Sequence, residues 1–503
     1  MGLLAALLAA PVAAAAVAEP QAGPQPGLRT SYERIPGHGG VELGAFVVTP
    51  IRPGPHPLLV MPASWTMPSA EYLGAAKKLA ASGGYAVISY AARGFGDSGG
   101  EIEVAGPEDI ADARRVIDWG LANRRTDPAK IGMAGISYGA GISLLTAAED
   151  DRVRSVSAMS GWADLARSLY PNETINVQAA EMLLAAGKLT GRPGEALRYI
   201  EEEYRKGNIE AALQLAPERS AATKIDKLNA NGTSIMLANA WQDGIFPPDQ
   251  YAEFFTGLHT PKRLMFYPGD HGTQDAPGAL GLPNEIWDNT NRWFDHHLRG
   301  EDNGVDTENP VQLKPSNGGD WLGYPDWNAA DRQRTMYLGD GEIRDEPASG
   351  WQHTIDAGED TVAGSGTIMT SGLLLATLKL PVGVAVPLID RSKAGVWAGP
   401  VPDTDTLLTG TPRLKVTVTP SAPDTSLFAY LYDTGPAGDG ALITHKPVTL
   451  RDAEPGEPQR LDLALDPMAW NLPAGHHLTL VLDTMDPRYT SESARGSTVT
   501  FGS

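Results

Sequence analysis

The fold turns on residues 130–148, KIGMAGISYGAGISLLTAA. Lys130–Ala134 is a short, nearly continuous apolar run of the kind found in strands buried on both faces. Gly135-Ile136-Ser137-Tyr138-Gly139 follows, and an apolar helical stretch then runs to Ala148. Strand, G-x-S-x-G and helix in that order predict a nucleophile elbow. The two glycines leave room where a Cβ would collide with neighbouring backbone. Ser137 then stands at a helix N-terminus, where the N–H of Tyr138 can face a developing oxyanion.

A second G-x-S-x-G match, Gly96-Asp97-Ser98-Gly99-Gly100, also reads as the GDSGG string of trypsin-like proteases. Context separates the two. A trypsin-like domain needs a histidine and an aspartate well upstream on two β-barrels, and upstream of Ser98 only His38 and His56 occur, in a stretch that is not barrel-like. Ser98 sits in a Gly-rich loop after a strand, where turn geometry explains the glycines and a loop-stabilising side-chain bond explains Asp97. Ser137 is therefore the expected nucleophile.

Outward from the elbow, apolar strand-like runs alternate with helix-like stretches. The expected strands are Ala45–Thr49, Pro57–Met61, Tyr85–Tyr90, Lys130–Ala134, Val153–Met159, Ser234–Ala238 and Arg263–Tyr267. The expected helices are Glu71–Ser82, Asp109–Asn123 and Pro283–Arg299. This alternation predicts an α/β domain over 31–301, a mostly parallel sheet covered by helices on both sides, the α/β-hydrolase fold. Residues 165–228 hold helical stretches without a convincing strand and are expected to form a helical cap over one end of the sheet. After residue 302 helical periodicity gives way to short strands and Gly/Pro turns. These include Arg334–Leu338, Arg413–Thr419, Ser426–Tyr432, Ala441–Leu450, Gln459–Leu465 and His477–Asp483, the texture of an all-β jelly-roll or β-sandwich domain over 302–503. That domain is expected to pack on the first and wall the active-site cleft.

A nucleophilic serine needs a base, and the base needs an orienting acid. In this fold they follow in the chain order Ser, Asp or Glu, His. Asp243 lies just past the strand Ser234–Ala238, before Gly244, and His271 lies in Pro268-Gly269-Asp270-His271-Gly272, straight after Arg263–Tyr267. Strand-end position and order make Asp243 the acid and His271 the base, although a turn aspartate or solvated loop histidine is the commoner role of each alone. Asp270 is the alternative acid, but adjacent loop residues rarely aim at one imidazole. The second oxyanion donor is expected after the strand Pro57–Met61, from the backbone N–H of Ser64 or Trp65. Trp65 is equally well explained as a cap on the core.

Composition narrows the classes further. A chain of 503 residues suits about three structural units at roughly 150 residues each. The net charge of -21 repels phosphate backbones and anionic bilayers, which argues against nucleic-acid and membrane partners. There is no cysteine, so disulfides, thiolate metal sites and a cysteine nucleophile are excluded. No cofactor is expected, and a homo-oligomer is compatible with the sequence. Residues 1–18 are uncharged and end in Ala16-Val17-Ala18 before Glu19, the pattern of a cleaved secretory signal peptide, with a Pro/Gly/Gln-rich linker over 19–30. A secreted, periplasmic or cell-envelope location follows from that segment.

The run Ser89–Gly100 (SYAARGFGDSGG), the elbow GISYGA, the acid loop QDGIFPP and the histidine loop GDHG together resemble the X-prolyl dipeptidyl-peptidase and cocaine esterase type of α/β-hydrolases. The stretch Leu461–Tyr489, with Pro473-Ala474-Gly475-His476 and Asp486-Pro487, is similar to the jelly-roll domain that follows the hydrolase in that family. The resemblance spans roughly residues 40 to 490 and joins two domains in the family's order. It implies a Ser–Asp–His serine hydrolase with a helical cap, acting on a small ester, an amide or a short peptide. Activities in the family include ester hydrolysis, acyl transfer to or from β-lactam amines, and release of X-Pro dipeptides. Some members place a tyrosine hydroxyl in the oxyanion hole; here the loop offers Ser64 and Trp65 and no tyrosine before Tyr72. The stretch ahead of the first strands is too short for the separate N-terminal domain of dedicated X-Pro peptidases, which ranks esterase or acylase above X-Pro dipeptidyl-peptidase. A catalytically inactive secreted binding protein is the reading from another class; an intact Ser137, Asp243 and His271 set argues against it.

Overall fold

The structure, a computed structural model, describes Gly27–Ser503. The expected signal peptide, and the expected linker as far as residue 26, lie outside the described residues. Ten strands form one sheet: β1 (Leu28–Pro36), β2 (Glu42–Pro50), β3 (His56–Pro62), β4 (Ala86–Tyr90), β5 (Thr126–Ile136), β6 (Val153–Met159), β7 (Ser234–Ala240), β8 (Lys262–Tyr267), β9 (Val311–Leu313) and β10 (Leu322–Tyr324). Their order is β1-β2-β4-β3-β5-β6-β7-β8-β9-β10, parallel from β4 through β9 and antiparallel at both ends.

Strand alternation divides the core in two. On β3, Leu58 and Val60 face the helices Pro107–Asn123 and Tyr138–Glu149, while Leu59 and Met61 face Leu73–Ser82 and Glu285–Arg299. Both faces of β4 and β7 are buried, which is why those strands read as unbroken apolar runs. The sheet order reverses at β3, whose neighbours are β4 and β5. Such a switch opens a crevice at the carboxyl ends of the strands, and the elbow lies there.

Between β6 and β7 the chain forms the expected cap, with helices Leu165–Leu169, Val177–Thr190, Glu195–Arg205, Ile209–Leu213 and Ile225–Asn231. Bridges Phe95↔Gly191 and Ile102↔Pro193 fasten it to the loops after β4. The C-terminal domain packs two antiparallel sheets together. One orders Gln352–Asp356, Thr498–Gly502, Arg413–Pro420 and Gln459–Ala464; the other orders Gly383–Ala385, Asp439–Leu450, Thr425–Thr434, His477–Asp483 and Gly395–Ala398. Val416, Val418 and Phe501 of the first meet Leu427, Ala429 and Leu482 of the second in one core.

Several boundaries differ from the sequence expectation. The linker ends earlier than residue 30, because Leu28 already pairs with Pro50 in β1. The hydrolase sheet continues past residue 301: β9 pairs with β8 through Leu264↔Val311, and β10 closes the edge. Within Arg334–Leu338 only Tyr337–Leu338 is strand. Ser371–Leu378 is a helix inside the β domain. Its sequence, SGLLLATL, spreads leucines around the helix without a polar face, so it carries no helical period to read.

Candidate active site

β5 ends at Ile136, and the helix Tyr138–Glu149 begins one residue after Ser137. Ser137 has φ 56° and ψ -117°, a conformation that L-residues rarely occupy and that tight packing must hold. A Cβ on Gly135 would lie 2.4 Å from the carbonyl carbon of Gly139, and a Cβ on Gly139 would lie 2.0 Å from the carbonyl oxygen of Pro62. Both glycines are therefore required by close backbone approach.

Three side chains converge from three strand ends. The Ser137 hydroxyl is 2.8 Å from Nε2 of His271. Nδ1 of His271 lies 3.1 and 3.0 Å from the two carboxylate oxygens of Asp243. Asp243 Oδ1 also accepts the N–H groups of Ile245 (2.9 Å) and Phe246 (2.8 Å), and the Phe246 ring meets the imidazole edge to face. All three residues are buried. Burial alone would lower the His271 pKa; the charge and hydrogen bond of Asp243, with Asp270 and Asp275, outweigh it and hold it above the ordinary value. Asp270 does not address the imidazole. Its Oδ1 accepts the N–H of Gly244 (3.0 Å) and of His271 (2.8 Å).

The oxyanion loop departs from expectation at Ser64. Its N–H donates to the Glu71 carboxylate at 2.6 Å, and its hydroxyl donates to the Ile136 carbonyl at 2.9 Å. The Ser64 amide is thus spoken for, which leaves Trp65. The Trp65 indole packs edge to face on Phe95 and Tyr138 and donates to the Leu183 carbonyl of the cap. Tyr138 opens the helix, where an N–H has no partner within the helix.

Ser98 lies elsewhere. Its buried hydroxyl donates to the Ala91 carbonyl (2.6 Å) and accepts the Gly44 N–H (3.0 Å). Asp97 accepts both the N–H and the hydroxyl of Ser69.

Other groups around the site carry no sequence motif. The Tyr138 hydroxyl donates to Asp109 (2.8 Å) and accepts the Ala105 N–H (2.6 Å). Burial pushes the Asp109 carboxyl up to about 7, and Glu71 likewise to about 7. Ser160, one residue past β6, donates to Asp275 (2.6 Å) and accepts the Gly272 N–H (3.1 Å), so it steadies the base loop from a neighbouring strand. Strand-end position is the one signal that could have singled out Ser160.

A cavity of about 160 Å³ opens on Ser137. Its wall is Trp65, Tyr138, Trp162 and Phe246 from the hydrolase, and leucines, isoleucines and Tyr204 from the cap. Among the described residues Arg219 is the one charged residue on it, and that guanidinium donates to the carbonyls of Leu215 and Glu103. Every lining residue falls between Trp65 and Phe246, so the β domain does not wall this cavity.

A strained serine, a buried imidazole and a carboxylate at successive strand ends of a mostly parallel sheet define a serine hydrolase of the α/β-hydrolase class. The chain belongs to the X-Pro dipeptidyl-peptidase (S15) family: that family's model matches residues 39–273, and the model of the X-Pro dipeptidyl-peptidase C-terminal non-catalytic domain matches 303–501. A putative Xaa-Pro dipeptidyl-peptidase of Bacillus cereus is 24% identical over 458 residues, 83% of this chain and 74% of the relative. The cocaine esterase of a Rhodococcus species is 22% identical over 537 residues, 92% of each chain. Among solved structures, an aminopeptidase from a marine sediment Thaumarchaeota archaeon has a TM-score of 0.74 at 13% identity, covering 95% of this chain and 94% of its own. An α-amino acid ester hydrolase has a TM-score of 0.70 at 14% identity, with the same coverage. At such identities these two likenesses speak to the fold alone.

Proposed function

We propose that this serine hydrolase cleaves esters or amides of uncharged, apolar acyl groups through an acyl-enzyme on Ser137. His271 Nε2 takes the hydroxyl proton as Oγ attacks the acyl carbon. Asp243 holds the imidazole tautomer and balances the imidazolium. The N–H groups of Tyr138 and Trp65 receive the oxyanion. His271 then protonates the leaving oxygen or nitrogen, afterwards takes a proton from the water that attacks the acyl-enzyme ester, and returns it to Oγ as the acyl–Oγ bond breaks and the acid departs. The chemistry of this set calls for neither metal nor organic cofactor.

The cavity lining carries the choice of substrate. Release of an X-Pro dipeptide requires holding a free α-ammonium group, and a desolvated ammonium needs a carboxylate partner. Among the described residues, no carboxylate lines the cavity at Ser137. Its one charged group is Arg219, a cation that pairs with Glu218 at 3.5 Å and offers an ammonium no partner. The family description and the Bacillus relative favour the peptidase reading, and the lining weighs the other way. Comparison of kcat/KM on short-chain aryl esters and on an Ala-Pro anilide decides between them. Faster turnover of the anilide would overturn the esterase assignment, and no turnover of any ester or amide would favour an inactive secreted binding protein. We also propose export with cleavage after Ala18, on the A-x-A pattern. An intact Met1 on protein recovered from culture medium would refute cleavage.

A further inference from the structure

The β domain is absent from the cavity wall, yet it reaches the acid and base loops from behind. Two contacts leave no slack. A Cβ on Gly244, next to Asp243, would fall 2.5 Å from Cγ2 of Ile368. A Cβ on Gly372 would fall 2.6 Å from the Gly269 carbonyl oxygen and 2.8 Å from Cβ of Asp270. Ile368 and Gly372 thus press on the two loops that deliver Asp243 and His271. Asp270 lies between them. Oδ1 ties Gly244 to His271, and Oδ2 faces the N–H of Gly372 at a long 3.4 Å. Across a chamber of about 30 Å³ shared with Asp243 and Asp270 sits the buried Arg488, whose guanidinium donates to the Ser365 carbonyl. The cap joins the same knot, since Asn176 donates to the Gly244 carbonyl at 2.7 Å.

We propose that Asp270 is a positioning residue through which the C-terminal domain sets the spacing of the acid and base loops, with Gly372 as the domain's point of contact. The proposal rests on the assignment of Ser137, Asp243 and His271 given above. Asp270→Asn separates this role from simple support. The amide oxygen can still accept from Gly244 and His271, while the amide nitrogen meets the Gly372 N–H donor to donor. The substitution also removes a negative charge beside His271. The charged groups facing His271 are Asp243, Asp270 and Asp275, with Arg488 opposing Asp270.

The experiment measures kcat, KM and the pH profile of aryl-ester hydrolysis for the full chain and three variants, each checked for folding by circular dichroism. Asp270→Asn is expected to lower kcat about ten-fold or more with little change in KM, and to move the acidic limb of kcat/KM to lower pH. Gly372→Ala keeps every charge, so kcat falls with the limb unmoved. Gly364→Ala, in the same segment, meets nothing within 4 Å and should match wild type. Wild-type kcat in both Asp270→Asn and Gly372→Ala would overturn the proposal, as would an unmoved limb in Asp270→Asn. Failure of the underlying assignment shows differently, as turnover that survives Ser137→Ala.

Discussion

Gly139→Ala probes the elbow at its tightest point. The new Cβ would lie 2.0 Å from the Pro62 carbonyl oxygen, 3.1 Å from the Pro62 carbon and 3.2 Å from the Tyr72 hydroxyl. Carbon and oxygen do not approach below about 3 Å, so the elbow and the end of β3 must part by roughly 1 Å, an overpacking that costs about 1–3 kcal/mol of stability. The consequence for catalysis is larger than for folding. Tyr138 precedes Gly139, and Trp65 lies three residues beyond Pro62, so the strain falls between the two proposed oxyanion donors. A misplacement of about 1 Å costs on the order of 10²-fold in rate, and loss of one oxyanion donor costs about 10²–10³-fold. Turnover of an aryl ester at 25 °C, with a thermal melt to show that the variant is folded, gives the answer. We expect kcat about 10²-fold below wild type and a modest drop in Tm. A folded Gly139→Ala enzyme within two-fold of wild-type kcat would refute this account of the elbow, since about 1 Å of displacement would then be harmless.

The base must be neutral to accept the serine proton, and the surrounding carboxylates raise its pKa. Activity is therefore lost as pH falls through that raised value, and the acidic limb of kcat/KM should have its midpoint above about 6.5, the unperturbed histidine value; a midpoint below it would contradict the electrostatics. Lys446 of the β domain is buried, with Nζ 2.9 Å from Asp249 of the hydrolase domain and 2.5 Å from Asp466. Lys446→Met strands Asp466 and leaves Asp249 with Arg167 as its one cation, and should cost about 3–5 kcal/mol in chemical denaturation; a loss below about 1 kcal/mol would show that the cluster is solvated.

The parallel heart of the fold was legible because strands buried on both faces leave unbroken apolar runs, as in β4 and β7. The elbow was legible because glycine spacing and a strand-to-helix change fall together around Ser137. Asp243 and His271 were legible as strand-end residues in the right order, and Asp97 as a loop-stabilising side chain. The rest lacked a local signature. β1 is an edge strand, LRTSYERIP, whose largely solvent-facing side chains hide any apolar alternation. β9 and β10 have three residues each, too few to show a period. The choice between the Ser64 and Trp65 amides was not legible, because Glu71 returns to the Ser64 N–H from seven residues on, a contact that depends on how the loop folds. Tyr138 meets Asp109 across 29 residues, and Gly372 meets Asp270 across 102. Such pairings are set by tertiary packing and leave no pattern in the chain.

The central claim is that Ser137, with His271 and Asp243, is the nucleophile. Labelling with a fluorophosphonate, followed by mass spectrometry of the peptides, tests it most directly. The account requires one adduct on Ser137, no labelling of Ser137→Ala, and turnover in that variant about 10⁴-fold or more below wild type. Ser98→Ala should keep the label and most of the activity, because the Ser98 hydroxyl is held by Ala91 and Gly44. An adduct on Ser98 with none on Ser137, or full turnover by Ser137→Ala, would contradict it.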